Sequence, residues 1–506
     1  MGRFAFIAGG LLVCGAGTLA QGPVSLPPEP SWARMDRSDW LLDPTPYKAG
    51  VFRGSHPDEI VLANGLIRRA FRVSPNATTV ALDNLVTGES VIRGVKPEAR
   101  VEIDGVSFDV GGLLGQPNYA YLDPGWLDDL TADPSAMALA GVAVSEPTAR
   151  LPWGRVRHHD ESLPWPPEGV HLRLDFRMPE GVRPELAAAR VSVHYILYDG
   201  LPAYSKWLTV TNGGDAVVTV NGFTSEILAA VEYQSRVEDR GAYFPPPNIH
   251  VETDYAFGGF DVASSSRHVV HWRSDPDYQT QVAYLRTTPC LLEVSPDVGP
   301  EQDVAPGETF ESCRAFVLPH DSYERERQGL SIRRMYRIIA PWTTENPLMM
   351  HVRHADEESV KAAIDQCADV GFEMVIMTFG SGFDIENESP EYLEKMAGYA
   401  EHAQARGIDL GGYSLLSSRS IGGGNDIVSP QGQSPTHGSC PALTSEWGQD
   451  YFRKLYQFYD RTGQTVLEHD GSYPGDIDVT PRPPLQKGEL DSRWVQWRII
   501  TEFYKW

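Results

Sequence analysis

Two carboxylates stand close together in a short apolar stretch near the end of the sequence. The stretch runs from Thr465 to Gly471, and Glu468 and Asp470 lie two positions apart within it. Because the side chains of a β-strand alternate between its faces, these carboxylates share one face and Leu467 takes the other. If Leu467 packs against a helix, both carboxylates point into a cavity, where their burial is costly unless chemistry uses them. This pattern predicts an enzymatic carboxylate at Asp470, and the alternative is a structural aspartate that caps the following loop.

Further polar side chains follow the ends of neighbouring predicted strands. Histidine, arginine, tyrosine and carboxylate groups supply the donors and acceptors that a sugar-binding site needs. The candidate substrate-binding residues are Glu468, Asp384, Tyr413, His351, Arg353 and Tyr473. Two acidic residues have structural alternatives, because Asp384 fits a solvated loop and Asp356 fits the N-cap of a helix that begins at Glu357.

The candidate residues belong to a region in which short apolar strands alternate with amphipathic helices. The predicted strands are 348–354, 374–379, 408–416 and 465–469, and the predicted helices that follow them are 357–370, 390–406, 445–461 and 492–505. This alternation indicates a parallel sheet, for which a TIM (β/α)8 barrel is the best fit. Active sites of such barrels gather at the carboxyl ends of the strands, which is where the candidates cluster.

Four strand–helix units make only half of a complete barrel, which needs ~250 residues. A half barrel exposes two open edges of a parallel sheet, which soluble proteins avoid. We therefore expect the sequence to be a fragment cut within the barrel of a longer enzyme. A small open α/β sheet and a barrel completed by a second chain are the alternatives.

The earlier part of the chain has the pattern of an antiparallel β structure. Alternating strands are separated by turn signals such as Asp104-Gly105. Long antiparallel strands at this density predict a large β-sandwich in which 115–165 is loop-like. The predicted fold class is multidomain, β and then α/β. The predicted boundaries are 1–20 for a signal peptide, 21–57 for an extended lead-in, 58–325 for the sandwich, 326–345 for a helical linker and 346–506 for the first half of the barrel.

The N-terminus and the cysteines indicate an exported protein. Arg3 precedes an apolar run, and small residues around Ala20 form a cleavage site, so the chain is predicted to be secreted or periplasmic. Export permits a disulfide between Cys290 and Cys313, and two buried thiols are the equally open alternative.

The overall charge excludes some classes of partner. The net charge of −25 argues against binding to nucleic acid or to an anionic membrane, since both need a positive surface. The cysteines and histidines lack zinc-site spacing, and Gly422 to Asn425 lacks the phosphate-loop pattern. We therefore expect no cofactor and no metal, and a carbohydrate as the partner.

The order of these parts resembles that of the α-galactosidase-type retaining glycoside hydrolases, especially family 36. The resemblance is carried by the early sandwich stretch Leu62 to Ile67, the helical linker, and an aspartate that ends the fourth barrel strand. It implies that Asp470 is the catalytic nucleophile and that a second carboxylic acid, from the sixth strand, protonates the leaving oxygen. That acid is expected beyond Trp506, so a fragment ending there is expected to be inactive.

Two positions depart from the family's pattern. Glu468 stands where a lysine commonly lies two residues before the nucleophile, and Phe379 to Asp384 replaces a pair of aspartates that bind galactose hydroxyls. The resemblance therefore implies an α-linked sugar in an oligo- or polysaccharide without fixing it as galactose, and Glu468 disfavours acidic sugars.

Two other functions fit the same sequence. The many tryptophans and tyrosines also suit a noncatalytic carbohydrate-binding or scaffold protein. An inverting hydrolase or a lyase on the same scaffold is the third reading, because the protonating acid is not assigned.

Overall fold

The computed structural model describes residues 25–32, 38–154, 163–234, 237, 244–256, 262–344, 346–471 and 475–506. The predicted signal peptide at 1–20 lies outside these described residues, as does Tyr473. Among the described residues, no helix has both the length and the apolar character needed to cross a membrane.

The first two thirds of the chain consist mainly of antiparallel strands. Their bounds are β1 (Gly50–Arg53), β2 (Glu59–Ala63), β3 (Ile67–Arg72), β4 (Thr78–Asn84), β5 (Glu89–Ser90), β6 (Ile92–Gly94), β7 (Ala99–Ile103), β8 (Val106–Val110), β9 (Leu113–Leu114), β10 (Thr131–Ala132), β11 (Ala138–Ser145), β12 (Gly169–Arg177), β13 (Arg190–Tyr198), β14 (Tyr204–Thr211), β15 (Val218–Thr224), β16 (Glu226–Ala230), β17 (Ile249–Thr253), β18 (Val270–Ser274), β19 (Pro289–Val294), β20 (Gln302–Val304), β21 (Thr309–Glu311) and β22 (Ala315–Pro319). This β-rich architecture agrees with the coarse fold class expected from the sequence.

These strands form several sheets that share a large apolar core. A five-stranded sheet has the order β1-β2-β3-β4-β5, and a seven-stranded sheet has the order β11-β12-β13-β14-β22-β17, with β21 also paired to β14. Two four-stranded sheets have the orders β20-β15-β7-β8 and β18-β19-β16-β6, and β9 pairs with β10. Apolar side chains from the five-, seven- and four-stranded sheets meet in a shared buried cluster.

Local sequence explains the hairpins of these sheets. Residues of β7 alternate between buried apolar and exposed charged side chains, as a strand with one face on a core requires. Asp104 and Gly105 join β7 to β8 with φ values of 49° and 73°. Two successive positive φ values define the tight hairpin turn for which Asp-Gly is favoured.

The expectation that residues 115–165 are loop-like is wrong in part. The eight-residue strand β11 lies within this segment and pairs with β12 at the edge of the seven-stranded sheet. Its alanines, glycine and serine have weak strand propensity, and the register shifts between Leu139 and Gly141. The strand therefore owes its conformation to pairing with β12, which local propensity does not reveal.

The last third of the chain contains a parallel sheet with helices between its strands. The strands are β23 (Met349–Val352), β24 (Met374–Met377), β25 (Asp409–Leu415) and β26 (Val466–Asp470), all parallel and in the order β23-β24-β25-β26. Among the described residues, the helices are α1 (Val262–Ser266), α2 (Arg325–Ile339), α3 (Glu357–Val370), α4 (Pro390–Gln404), α5 (Glu446–Thr462) and α6 (Glu489–Lys505), with short 3-10 helices at Pro124–Asp129 and Pro341–Thr344. The strand–helix alternation predicted for this region is confirmed, while the domain boundaries stay predictions.

Capping side chains set where the helices of this region begin. The Asp356 carboxylate accepts a hydrogen bond of 2.9 Å from the backbone N–H of Ser359, so its structural alternative, the N-cap of α3, is confirmed. Ser389 caps α4 with Pro390 at the first helical turn, and Ser445 caps α5. Each cap satisfies a backbone N–H that has no partner within its helix.

Helix α6 contacts both parts of the chain. Its Trp494 is buried in the core of the antiparallel sheets, whereas Ile500 and Phe503 lie in the core of the parallel sheet. Cys290 and Cys313 are both free and buried, which is the thiol alternative rather than the disulfide.

A group of charged side chains is buried among the antiparallel sheets. Glu226 accepts hydrogen bonds of 2.7 Å from both Arg69 and Lys206, and 2.8 Å from the hydroxyl of Tyr204. Burial alone would raise the pKa of Glu226, but Arg69 and Lys206 outweigh that effect and hold the pKa at about 2. The carboxylate is thus ionised and fully paired inside the core.

Candidate active site

Asp470 ends strand β26 at the carboxyl edge of the parallel sheet. Its side chain is exposed, and the hydroxyl of Tyr413 on β25 donates a hydrogen bond to its Oδ2 atom. In the parallel register Tyr413 stands beside Glu468, so the three side chains share one face of the sheet. The sheet therefore brings together the predicted nucleophile and two of the predicted substrate-binding residues.

A fourth predicted residue reaches this group from the opposite edge of the sheet. The Nε2 atom of His351 on β23 lies 3.7 Å from the Oε1 atom of Glu468 on β26. These are the two edge strands, and a flat sheet would hold their backbones ~14 Å apart with side chains standing perpendicular to it. The contact shows that the sheet is strongly curved and that these side chains converge on its concave face.

The other face of β26 packs against helices. Leu467 packs on the apolar core of the parallel sheet. The two ring nitrogens of His469 each share a hydrogen bond with a tyrosine hydroxyl, Nε2 with Tyr451 on α5 at 2.9 Å and Nδ1 with Tyr504 on α6 at 2.8 Å. Burial lowers the pKa of His469 to about 4, against the opposing effect of Asp470. The ring is therefore neutral near pH 7, with one nitrogen donating and the other accepting.

The loop after β24 adds an aromatic wall. Phe379 is 69% exposed, and its ring meets that of Tyr413 edge-to-face at 5.2 Å. Asp384 lies further along the loop, where its Oδ1 atom accepts from the N–H of Glu386 at 3.1 Å and its own N–H donates to the hydroxyl of Tyr392 at 2.7 Å. These contacts hold the Asp384 carboxylate within its own loop, away from any contact with Asp470 among those described.

Of the two remaining predicted residues, the structure describes only Arg353. Arg353 follows β23, is exposed and makes no hydrogen bond or ion pair within the described ranges. Tyr473 lies outside the described residues.

The structure adds contacts that the sequence pattern did not specify. Gly471 has a φ of 69°, and a Cβ atom there would lie 2.4 Å from the backbone nitrogen of Ser417. The backbone of the loop after β25 therefore lies in direct contact with the end of β26. The same loop carries Arg419, which pairs with Glu386 at 2.8 Å and stacks over Trp447 at 5.0 Å. These contacts tie the loops after β24 and β25 together, and only the tertiary fold reveals them.

The chemistry of this group is that of carboxylates and hydroxyls. Across the part of the chain that the structure describes, no three histidine, cysteine or acidic residues are grouped so that they could hold a metal ion. An exposed carboxylate, a second carboxylate and a tyrosine hydroxyl on a concave face can accept sugar hydroxyls and can attack an electrophilic carbon.

No family model matches the sequence, and no curated protein matches it. Several solved structures have a similar fold. The family 36 α-galactosidase AgaB from Geobacillus stearothermophilus has a TM-score of 0.50 at 11% identity, over 90% of this chain and 70% of its own. An α-galactosidase from Lactobacillus brevis has a TM-score of 0.49 at 11% identity, over 87% of this chain and 68% of its own. A variant of AgaA from Geobacillus stearothermophilus, in complex with raffinose, has a TM-score of 0.49 at 11% identity, over 88% and 71%.

The likeness to AgaB extends over both the antiparallel sheets and the parallel sheet, because it covers 90% of this chain. It concerns the path of the backbone, since only 11% of the residues are identical. The fold of this chain is similar to that of the family 36 α-galactosidases.

Proposed function

We propose that this chain belongs to a secreted glycoside hydrolase that cleaves an α-linked sugar by a retaining mechanism, with Asp470 as the nucleophile. The observation that carries the proposal is the convergence of His351, Tyr413, Glu468 and Asp470 on the concave face of the parallel sheet. The likeness of the backbone to AgaB supports a β-sandwich followed by the first half of a (β/α)8 barrel. In such a barrel this face would line the central cavity at its catalytic end.

The proposed reaction has two displacements. First, a carboxylate oxygen of Asp470 attacks the anomeric carbon, the glycosidic C–O bond breaks, and the leaving oxygen takes a proton from a second carboxylic acid. Water then attacks the same carbon and gives its proton to that second group. The ester bond to Asp470 breaks, the carboxylate is restored, and the sugar leaves with the anomeric configuration it had in the substrate.

Neighbouring side chains have distinct proposed roles. The Tyr413 hydroxyl orients the Asp470 carboxylate through the hydrogen bond between them. Glu468 offers carboxylate oxygens to sugar hydroxyls, and its negative charge disfavours an acidic sugar beside the nucleophile. Phe379 offers an exposed aromatic face beside Tyr413, which suits the apolar C–H face of a sugar ring.

A test of the nucleophile uses substrates whose leaving group needs no protonation. Fluoride leaves without an acid, and azide can replace water in the second step without a base. Fluoride release from the α-glycosyl fluorides of galactose, glucose and mannose in the presence of azide therefore reports on attack by Asp470 without the second carboxylic acid. We expect the wild-type chain to release fluoride from at least one of them and Asp470→Asn to lower that rate by about 10³-fold or more. The control Asp384→Asn changes a carboxylate of the neighbouring loop and should leave the rate within a few-fold of the wild type.

A covalent label identifies the attacking atom directly. A 5-fluoro-α-glycosyl fluoride of the accepted sugar should leave a glycosyl group on the peptide that contains Asp470, detected by mass spectrometry. Hydrolysis of no fluoride by the wild type, an equal rate in Asp470→Asn, or a label on another peptide would each contradict the proposal.

A further inference from the structure

A large cleft lies away from Asp470, between the seven-stranded sheet and helix α6. Its volume is about 1110 Å³, and one wall is formed by β21 and the other by the exposed side of α6. The segment around Trp153 and the 3-10 helix that carries Trp342 close one end. Small-molecule sites typically have volumes of ~300–1,000 Å³, so this cleft is large enough for a ligand of several rings.

Tryptophan side chains in the cleft are held in fixed orientations. The indole N–H of Trp497 donates a hydrogen bond of 2.8 Å to the backbone oxygen of Asp254. Trp342 packs edge-to-face against Trp153 at 6.1 Å and against Trp165 at 5.3 Å. Fixed indoles offer apolar surface at a low entropy cost on binding, as aromatic contact residues do in other recognition surfaces.

Most of the charged side chains in the cleft already have a partner of opposite charge. Arg150 pairs with Asp254 at 3.2 Å, and Arg314 lies 3.7 Å from Glu311. Burial raises the pKa of Glu311, against the effect of Arg314, although the side chain is 56% exposed to solvent.

Arg498 on α6 differs from these residues. It is exposed, lines the cleft and makes no hydrogen bond or ion pair within the described ranges. Its guanidinium carries five N–H donors, which can bind ligand hydroxyl oxygens in pairs. The cleft is lined by five carboxylates and four cations, so its net charge is −1 and it does not attract a polyanion: Asp254, Asp303, Glu308, Glu311 and Glu502 against Arg150, Arg314, Arg498 and Lys505.

We infer that this cleft is a second, noncatalytic binding site for a neutral oligosaccharide. A sugar ring presents an apolar C–H face, which fits an indole, and a rim of hydroxyls, which fits paired carboxylates and a free guanidinium. The cleft volume of about 1110 Å³ favours a chain of several sugars over a monosaccharide. The site is separate from Asp470 and stands whether or not Asp470 is a nucleophile.

Isothermal titration calorimetry of the whole chain tests this site with stachyose, cellohexaose and mannohexaose as probes. Galactose is the monosaccharide comparison, and a galacturonic acid hexamer is the anionic one. We expect at least one neutral oligosaccharide to bind and Arg498→Ala to weaken it by about tenfold, the usual cost of losing a hydrogen bond to a charged group. Trp342→Ala should weaken the same probe.

The matched control is Arg461→Ala on α5. Arg461 is exposed, carries the same charge and lies outside the cleft, so this variant should bind with wild-type affinity. Arg498 is a surface residue, and thermal melting should show the same transition in both arginine variants. Three results would overturn the inference: no binding of any neutral oligosaccharide, unchanged affinity in both cleft variants, or binding of the galacturonic acid hexamer alone.

Discussion

The hydroxyl of Tyr413 donates a hydrogen bond to the carboxylate of Asp470 across two adjacent parallel strands. The two residues are 57 positions apart in sequence, and the strand register brings them together. A carboxylate held by one fixed donor keeps a defined orientation while its other oxygen is free to react. This relationship gives Tyr413 a positioning role that can be tested separately from that of Asp470.

Tyr413→Phe should slow the proposed reaction without removing its nucleophile. We expect a loss of about tenfold in kcat/KM on the accepted α-glycosyl fluoride, as for a hydrogen bond to a charged group. The covalent label should still appear on Asp470. Tyr392→Phe, which removes a hydroxyl bonded to the backbone of Asp384, is the control and should retain the wild-type rate. An unchanged rate in Tyr413→Phe would dismiss the positioning role.

Because Glu226 and its partners are buried, we expect substitution of Lys206 to lower the free energy of unfolding much more than substitution of the exposed Lys48. Lys206 is fully buried and donates to Glu226, so Lys206→Met leaves that carboxylate partly unpaired in the core. Removing one partner of a buried ion pair costs ~3–5 kcal/mol. Lys48 pairs with Glu168 at 3.1 Å and with Asp199 at 2.9 Å, and its own side chain is 61% exposed, so Lys48→Met should cost under ~1 kcal/mol.

Urea denaturation of the two lysine variants measures this difference as a change in the free energy of unfolding. Equal costs would mean that the buried pair adds no more stability than the exposed one. Both lysines are replaced by the same unbranched apolar residue, so the change in side-chain volume is the same at the two positions.

Elements whose ends are marked by their own sequence could be predicted, and contacts made across the fold could not. The bounds of α3 follow from Asp356 at its N-cap and a left-handed glycine, Gly371, just after its end. The alternation in β26 correctly separates Leu467 from Glu468 and Asp470. By contrast, Arg69 and Glu226 are 157 positions apart, and no local pattern links them.

In the candidate site, too, the strand ends could be predicted from the sequence, whereas the loop contacts could not. Strand ends could be located from apolar runs, which is why His351, Tyr413, Glu468 and Asp470 were all predicted to lie at one edge. Asp384 was predicted on the same basis, yet the loop folds so that its carboxylate bonds to its own backbone neighbours. Loop conformation depends on contacts such as Arg419 with Glu386, which sequence spacing does not specify.

His171 and His194 stack on each other in the seven-stranded sheet, and we expect them to make the free energy of unfolding depend on pH. His194 and His171 lie 3.1 Å apart between ring nitrogens, and burial lowers their pKa values to about 3 and about 4. In the unfolded chain each histidine binds a proton below pH ~6.5. The unfolded state therefore takes up more protons than the fold between pH ~6.5 and ~4, so stability falls as pH falls through that range.

His194→Asn should reduce this pH dependence. For one histidine the slope is about 1.4 kcal/mol per pH unit, and His194 contributes it over most of the range. Urea denaturation at pH 7.5, 6 and 5 measures the slope. His437→Asn makes the same substitution at an exposed histidine and is the matched control. Glu226 loses its stabilising charge only as pH falls from ~4.3 toward 2, so it does not confound the comparison.

Gly471 and Gly463 have the same left-handed backbone conformation, but a side chain would clash with neighbouring backbone only at Gly471. Their φ values are 69° and 68°, so alanine meets nearly the same backbone strain at both positions. A Cβ atom on Gly471 would lie 2.4 Å from the backbone nitrogen of Ser417, whereas on Gly463 the nearest atom is the side-chain nitrogen of Gln404 at 3.5 Å. Only the first contact forces backbone to move, and that backbone belongs to the loop beside Asp470.

Gly463→Ala should therefore cost only the left-handed strain, ~1 kcal/mol of unfolding free energy. Gly471→Ala should cost a further ~1–3 kcal/mol, as overpacking does. It should also lower hydrolysis of the α-glycosyl fluoride, because the end of β26 must shift away from Ser417 and carry Asp470 with it. Equal stability and equal rates in the two alanine variants would show that the Ser417 loop yields freely and does not position Asp470.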